Sequence, residues 1–229
     1  MGEFTFIVEK TCPICGETTR VVKTKSKLMM DHMDEDFCVH YQNFNPYFYK
    51  IWFCEKCGYA ADEKTFLGTM PELHRRKIHD FLSNRKLGLE FVEDRGVPEA
   101  VASFKLAIFY AELTDQPLAK RAGLYLELAW IYRDAADEEK EKEMLQRAAD
   151  LYDKSLMTER YPINGMSDTM AMYLIGAIYF RMKDYDRATQ YISRIIGDQN
   201  IRNNEAKLYN RARDLWQDIR QIKGTESEE

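Results

Sequence analysis

The sequence lacks the features that mark secreted and membrane-spanning chains. Residues 1–4 carry neither the basic segment nor the start of the apolar run that a signal peptide requires. No uninterrupted apolar stretch approaches the roughly 20 residues of a membrane-spanning helix. We therefore expect a cytoplasmic protein with no membrane contact.

An excess of charge of either sign is also missing. The 229 residues include 33 Lys plus Arg and 38 Asp plus Glu, a formal net charge of −5. This balance creates no field that would favour nucleic acid or an anionic membrane, so we expect protein partners. The hydrophobic content of 45% supports an ordinary buried core in one large or two modest domains.

Motifs typical of catalysis are absent as well. The sequence has no phosphate-binding loop, no nucleophile elbow and no clustered acid–base pair. His74 and His79 flank a basic stretch, but residues five apart do not share a helix face, and the stretch is not the glutamate-bearing helix of a zinc protease. We interpret it as a solvated helix face and expect no enzymatic activity.

The chain does contain two cysteine pairs in the same short pattern. Cys12-Pro-Ile-Cys15-Gly and Cys54-Glu-Lys-Cys57-Gly each place two thiols on one tight turn that ends in glycine. In that geometry two sulfurs reach one ion at about 2.3 Å. Four such sulfurs form a closed tetrahedral site, which in a reducing compartment predicts structural Zn²⁺.

Two alternatives to zinc stay open at the cysteine pairs. Iron in place of zinc would give a coloured centre of the rubredoxin type. A redox Cys-x-x-Cys would need a following helix N-terminus to lower a thiol pKa, and neither pair obviously precedes a helix. The 38 residues between Cys15 and Cys54 exceed the roughly 15–20 of compact ribbons, so this insert must fold back on itself.

The fifth cysteine, Cys38, lies inside the insert, two residues before His40. One interpretation makes it a regulatory thiol, or a substitute metal ligand together with His40. The other makes it a small buried apolar side chain, as unpaired cysteines often are. From the residues alone we favour the buried side chain.

The segment around the cysteine pairs predicts a small β module. Residues 4–9 and 18–25 are rich in β-branched and aromatic side chains and predict a hairpin whose turn is the first cysteine pair. Residues 31–36 are acidic and predict a solvated loop, whereas 47–53 predict a strand that leads into the second pair. A module this small buries little apolar surface, so metal–thiolate bonds would supply part of its stability.

A helical pattern begins near residue 69 and continues almost to the end. Thr69 to Glu72 combine an N-cap candidate, an early proline and an acid. The last helix is predicted over 203–223, where spread charges suit the polar cap of a repeat array. Clusters of Gly, Pro, Asn and Asp predict breaks between helices at 96–98, 115–117, 162–165 and 197–198.

Three helix pairs, starting at residues 81, 122 and 169, are predicted within this helical part. In the third, Gly176 precedes Ala188 and Ile192 at the offsets where the two helices of a tetratricopeptide repeat cross. The second departs from the pattern because Glu141 stands where a small residue is expected. The starts are 41 and 47 residues apart, so the repeat is degenerate.

The predicted fold class is therefore α+β, a small zinc-ribbon β module followed by an all-α tetratricopeptide-like array. We assign residues 1–68 to the ribbon with its aromatic-rich insert, 69–223 to the helical domain and 224–229 to a disordered acidic tail. In such arrays the first helix of each pair lines a concave groove, and exposed Trp, Tyr and Arg anchor interfaces. The predicted partner-binding residues are Arg85, Leu89, Trp130, Arg133, Tyr173 and Phe180. The alternative is that these side chains belong to the buried core or contact the zinc module.

A nucleic-acid-binding zinc ribbon is an alternative, because the aromatic insert follows a strand that carries Arg20, Lys23, Lys25 and Lys27. Such a combination can stack bases and contact phosphates. Residues 1–80, however, contain 11 Lys plus Arg against 12 Asp plus Glu, so the basic strand is offset by acidic neighbours. A zinc and thiol redox sensor that uses Cys38 is the second alternative.

The chain resembles a family of uncharacterised bacterial proteins, mainly from Firmicutes. The matching stretches are Cys12-Pro-Ile-Cys15-Gly16, Asp36-Phe-Cys38, Asn45-Pro46, Cys54-Glu-Lys-Cys57-Gly-Tyr-Ala60 and Leu128-Ala-Trp-Ile-Tyr-Arg133. The resemblance covers nearly the whole chain and implies a zinc ribbon, a tetratricopeptide-like C-terminal half and a cytoplasmic location. By this resemblance, Cys38 also belongs to the family motif. We therefore expect a non-catalytic zinc protein that recruits a protein or peptide.

Overall fold

The computed structural model describes residues 3–83 and 90–226 of the chain. Strands occupy the N-terminal part and helices the remainder, which confirms the α+β class. The strands are β1 (Thr5–Thr11), β2 (Thr18–Thr24), β3 (Met30–Met33), β4 (Val39–Tyr41), β5 (Ile51–Phe53) and β6 (Ala60–Asp62). The helices are α1 (Glu63–Leu67), α2 (Glu72–Leu82), α3 (Val97–Leu113), α4 (Leu118–Asp134), α5 (Glu138–Thr158), α6 (Asp168–Arg181), α7 (Tyr185–Ile196), α8 (Gln199–Asn204) and α9 (Ala206–Glu226).

The six strands form three separate antiparallel hairpins, β1–β2, β3–β4 and β5–β6. In the first hairpin the register runs from Thr5 opposite Thr24 to Thr11 opposite Thr18. In the third, Phe53 lies opposite Ala60. The turns of these two hairpins are the two cysteine pairs. The hairpin predicted around the first pair is therefore present, and the second pair has the same arrangement.

Helices α6 and α7 pack against each other, and α7 also packs against α8 and α9. A methyl group on Gly176 of α6 would lie 2.6 Å from the Cδ1 and Cγ1 atoms of Ile192 in α7, and 3.6 Å from the carbonyl oxygen of Ala188. Only glycine permits so close an approach. The helices thus cross at the small residue where the sequence predicts the crossing.

By its contacts the chain divides into two compact units. The first comprises Met1–Met33, Val39–Gln116 and Trp130–Glu138, and the second comprises Asp34–Cys38, Pro117–Ala129 and Glu139–Glu229. The large side chains fully buried in the first unit include Ile51, Tyr59, Phe66, Ile78, Phe104 and Tyr110. Those in the second include Leu128, Leu145, Tyr173, Ile175, Ile178, Ile192 and Ile195. The boundary predicted between residues 68 and 69 does not coincide with the division into these units.

The N-terminal elements differ from the sequence prediction in three places. The acidic stretch 31–36 is not a loop throughout, because β3 extends to Met33. Within 47–53, a 3₁₀ helix over Pro46–Tyr49 precedes the three-residue strand β5. The first helix is α1, whose N-cap Asp62 accepts a hydrogen bond from the backbone NH of Thr65 at 3.0 Å, and not the helix predicted near residue 69.

The C-terminal elements follow the predicted breaks, with one difference at the end. Helices begin or end at each of the four predicted breaks. The last helix, α9, continues to Glu226 and so includes the first three residues of the predicted tail. No helix among the described residues is long and apolar enough to cross a membrane.

Candidate metal centre

Each cysteine pair is held in a knuckle closed by the same two backbone hydrogen bonds. In the first, the NH of Gly16 donates to the carbonyl of Cys12 at 3.0 Å, and the NH of Cys12 donates to the carbonyl of Glu17 at 2.9 Å. In the second, the NH of Gly58 donates to the carbonyl of Cys54 at 2.7 Å, and the NH of Cys54 donates to the carbonyl of Tyr59 at 2.8 Å. Gly16 and Gly58 have φ values of 76° and 85°, which favour glycine over any other residue. The glycine that ends each motif is thus what allows the turn.

The two knuckles bring all four thiols together. The Sγ atoms of Cys12 and Cys57 lie 3.6 Å apart, and those of Cys15 and Cys54 lie 3.7 Å apart. All four sulfurs lie within 4.8 Å of one another. Sulfurs at the corners of a tetrahedron with metal–sulfur distances of about 2.3 Å would be separated by about 3.8 Å. The observed spacing therefore fits one tetrahedral ion and is too long for a disulfide, whose sulfurs lie about 2.05 Å apart.

The cluster stabilises negative charge unequally among its sulfurs. Hydrogen bonding with Cys12 holds the pKa of the Cys54 thiol far below its usual range. Hydrogen bonding with Cys54 raises the pKa of Cys12 to about 12, and hydrogen bonding with Cys12 raises that of Cys57. Four thiolates this close repel one another, so full ionisation requires a cation among them. The cluster can therefore hold a metal ion, and its four sulfur donors suit zinc or iron.

Side chains from other elements of the first unit fix the second knuckle. The NH of Glu55 donates to Thr19 Oγ1 at 3.2 Å, and the Arg20 guanidinium contacts the Glu55 carboxylate at 3.1 Å. From α3, the Tyr110 hydroxyl donates to the carbonyl of Gly58 at 3.0 Å. Burial raises the pKa of Tyr110, so this donor keeps its proton at neutral pH. No motif in the sequence marks this contact, because it joins residues 52 positions apart.

Arg95 supports the strand that leads into the same knuckle. Its Nη1 atom donates to the carbonyl of Ile51 in β5 at 2.7 Å, and its backbone NH donates to the Tyr49 hydroxyl at 3.1 Å. The Arg95 guanidinium also lies 5.0 Å from the centre of the Phe53 ring. Burial lowers the pKa of Arg95 to about 10. No motif marks Arg95 in the sequence, because its role depends on where α3 begins.

The four-thiol group among the described residues does not include Cys38. Cys38 is buried, with 3% of its surface exposed, in the turn that follows β3. Its backbone NH contacts Asp36 Oδ1 at 3.3 Å, and its carbonyl accepts from the NH of Asp34 at 2.9 Å. Burial of this kind agrees with the apolar interpretation, since reactive thiols are at least partly exposed.

The predicted groove residues differ in exposure. Trp130 is 8% exposed and packs against Tyr47 with ring centres 5.0 Å apart. Tyr173 is 0% exposed, and its hydroxyl donates to the carbonyl of Glu35 at 3.0 Å. Arg133 and Phe180 are half-buried. Arg85 and Leu89 lie outside the described residues. The burial of Trp130 and Tyr173 does not fit direct contact with a partner.

The basic strand predicted for nucleic-acid contact is engaged within the protein. Arg20 pairs with Glu55, and Lys23 Nζ lies 2.6 Å from Glu63 Oε1. Lys25 Nζ donates to the carbonyl of Glu3 at 2.7 Å. The aromatic side chains of the insert that are buried include Tyr49, Trp52 and Phe53. Neither a free cationic strand nor an open stacking platform is present at these residues.

Comparison with protein families settles the membership that the cysteine motifs suggest. The family described as uncharacterized proteins conserved in bacteria, DUF2225, matches residues 7–219. The chain belongs to the DUF2225 family. The match begins within β1 and ends within α9, so it includes both cysteine knuckles of this DUF2225 chain. No curated protein and no solved structure matches this DUF2225 chain.

Proposed function

We propose that this chain is a non-catalytic bacterial zinc protein of the cytoplasm, whose zinc ion holds the β module and whose helices recruit a protein or peptide. The observation that supports the proposal most strongly is the group of four sulfurs from Cys12, Cys15, Cys54 and Cys57. Four protein ligands fill a tetrahedral ion, so neither water nor a substrate has a position on the metal. Such an ion stabilises a fold and does not activate a nucleophile.

Metal analysis of the purified protein tests the zinc assignment. We expect about one zinc per chain after extensive dialysis, since four thiolates bind zinc tightly. Replacement by Co²⁺ should give the intense near-ultraviolet band of cobalt–thiolate bonds together with the visible bands of tetrahedral cobalt. A coloured protein that contains stoichiometric iron would contradict zinc, and a protein that never retains metal would contradict the site itself.

The tetratricopeptide-like character of the helices belongs to the same proposal. It is supported by the crossing of α6 and α7 at Gly176. It is also supported by Gly123 of α4, where an added methyl group would lie 3.5 Å from the Tyr152 hydroxyl of α5. Helix pairs that cross at small residues are the unit of these arrays, which commonly bind proteins or peptides.

Capture of partners from a bacterial lysate tests the recruiting role. Arg133 and Phe180 are the two groove residues that are described and not fully buried. We expect the variant Arg133→Ala to lose a partner that the wild type retains. The matched control is Arg213→Ala, which removes an exposed arginine of α9. A partner profile that is identical in all three proteins would contradict the groove.

A further inference from the structure

The β3–β4 hairpin places two of the four histidines of the chain side by side. His32 lies opposite His40 in the register of the two strands. Their imidazole rings stack with centres 4.2 Å apart and planes 8° apart. One ring nitrogen of each lies within 4.8 Å of one ring nitrogen of the other. The stacked rings direct their in-plane lone pairs along nearly parallel lines, so both nitrogens can bind one ion once one ring, such as His40, turns about its Cβ–Cγ bond.

A carboxylate orients one of these rings. His32 Nδ1 donates to Asp31 Oδ2 at 2.6 Å. This contact favours the tautomer with the hydrogen on Nδ1, so the lone pair lies on Nε2. A carboxylate that accepts the second ring hydrogen is the usual companion of a metal-binding histidine, because it fixes the ring and raises the basicity of the ligand nitrogen. Asp31 supplies this companion in the neighbouring position of the chain.

Packing in a hydrophobic core does not explain why the two histidine rings lie together. The His32 side chain retains 57% of its exposure, and all four residues of β3 are exposed. The strand therefore contributes little to a hydrophobic core, and two stacked imidazoles gain little from each other in water. Carboxyl-bearing residues follow His32 in the sequence at positions 34–36. Imidazole and carboxylate are the donors that divalent transition metals select.

We propose that His32 and His40 form a second metal site, selective for a divalent transition-metal ion and distinct from the four-cysteine cluster. Two imidazoles leave further coordination positions for water or oxygen donors, so this ion is exchangeable, whereas the four-thiolate ion is not. The order of affinities for nitrogen ligands places copper above nickel and zinc. Zn²⁺ is the probe of choice because it has no redox chemistry that would oxidise the cysteines.

Calorimetric titration of Zn²⁺ into protein that already holds one zinc per chain tests the site. We expect a second, weaker equivalent in the wild type and none in His32→Ala plus His40→Ala. The remaining two histidines of the chain, in α2, provide the matched control His74→Ala plus His79→Ala, which should keep the second equivalent. Retention of the first zinc and an unchanged circular dichroism spectrum establish that each variant is folded.

Three results would overturn the proposal. They are a wild type that takes up no second zinc, a second equivalent that survives in the His32 and His40 variant, and one that disappears in the α2 control. Asp31→Asn adds a readout of ring orientation. Loss of such a carboxylate typically weakens metal binding by about 10- to 100-fold, so an unchanged affinity would exclude Asp31 from the site.

Discussion

At the scale of single residues, Gly176 provides the most direct test of the helix packing. A Cβ atom at this position would lie 2.6 Å from two atoms of Ile192, which is 0% exposed and has little room to move. We expect Gly176→Ala to lower the free energy of unfolding by about 1–3 kcal/mol through overpacking, although alanine is the better helix former by about 1 kcal/mol. Urea denaturation measures the change.

Gly123→Ala is the matched control for that substitution. The nearest atom to its added methyl group would be the Tyr152 hydroxyl at 3.5 Å, an ordinary contact. We expect this variant to be as stable as the wild type or slightly more stable, because alanine favours the helix without a clash. Equal losses in the two variants would contradict a specific crossing at Gly176.

Tyr173 should make stability depend on pH in alkaline solution. Burial raises the pKa of its phenol to about 12, from an ordinary value of 10. The unfolded chain ionises Tyr173 near pH 10 while the folded chain keeps its proton, so stability is complete below pH 10 and falls as the pH rises to about 12. Two pKa units correspond to about 2.7 kcal/mol at most.

Tyr173→Phe isolates this contribution from that of other tyrosines. The variant loses the hydrogen bonds with Glu35 and Arg211, so we expect it to be about 1 kcal/mol less stable at pH 7. Its further loss between pH 10 and pH 12 should be smaller than that of the wild type. Tyr209→Phe, at a half-exposed position of α9, should retain the wild-type decline. Urea denaturation at several pH values decides between these outcomes.

The structural role of a single residue was predictable from the sequence where its chemistry allows only one kind of environment. The four knuckle cysteines and Gly176 are such residues, because thiol spacing and the absence of a side chain restrict what they can do. Trp130 and Tyr173 were not, because an aromatic residue suits a groove and a core equally well. Their place depends on the rotation of each helix, which a degenerate repeat does not specify.

At the scale of secondary-structure elements, Glu159 connects the end of α5 to the start of α4. Its carboxylate accepts from the backbone NH groups of Leu118 and Ala119 at 2.8 and 3.2 Å. The backbone NH groups of the first helical turn have no acceptor within the helix, and a carboxylate there accepts hydrogen bonds from them. Its negative charge also interacts favourably with the helix dipole. We expect Glu159→Gln to lower the free energy of unfolding by about 1 kcal/mol. Thermal or urea denaturation measures this loss.

Asp218→Asn is the control for the Glu159 substitution, since it removes the same charge from an exposed position of α9. Its stability should match that of the wild type. Equal losses of stability in the two variants would contradict the role of Glu159 as a cap of α4, because the effect would then depend on net charge alone. Raised salt should reduce the Glu159 effect only in part, since the hydrogen bonds remain.

Elements with strong local signals were predictable, whereas of the four shortest strands only β5 was expected. Proline and glycine cannot continue a helix without cost, so the breaks around residues 96–98 and 162–165 were readable directly. The three- and four-residue strands β3, β4, β5 and β6 carry too few residues to establish an alternating pattern. Hairpin β3–β4 was hidden further because acidic residues normally indicate a loop, and its histidine pair was missed with it.

At the scale of the whole molecule, the metal ion should determine whether the β hairpins are stable. The knuckles join β1 to β2 and β5 to β6, and each hairpin alone is only two-stranded. Isolated two-stranded hairpins are at best marginally stable in water. The four sulfurs therefore supply a connection between the hairpins that their small apolar surface cannot replace.

We expect Cys57→Ser to lose stoichiometric metal and to lower the stability of the first unit by more than about 4 kcal/mol. Hydrogen exchange should then become fast in β1, β2, β5 and β6. It should remain slow in α6 and α7, whose core contains Ile175, Ile178 and Ile192. Cys38→Ala should retain the metal, because Cys38 is outside the four-thiol group. Slow exchange of the hairpins in metal-free Cys57→Ser would show that apolar packing alone holds them and that the ion has another role.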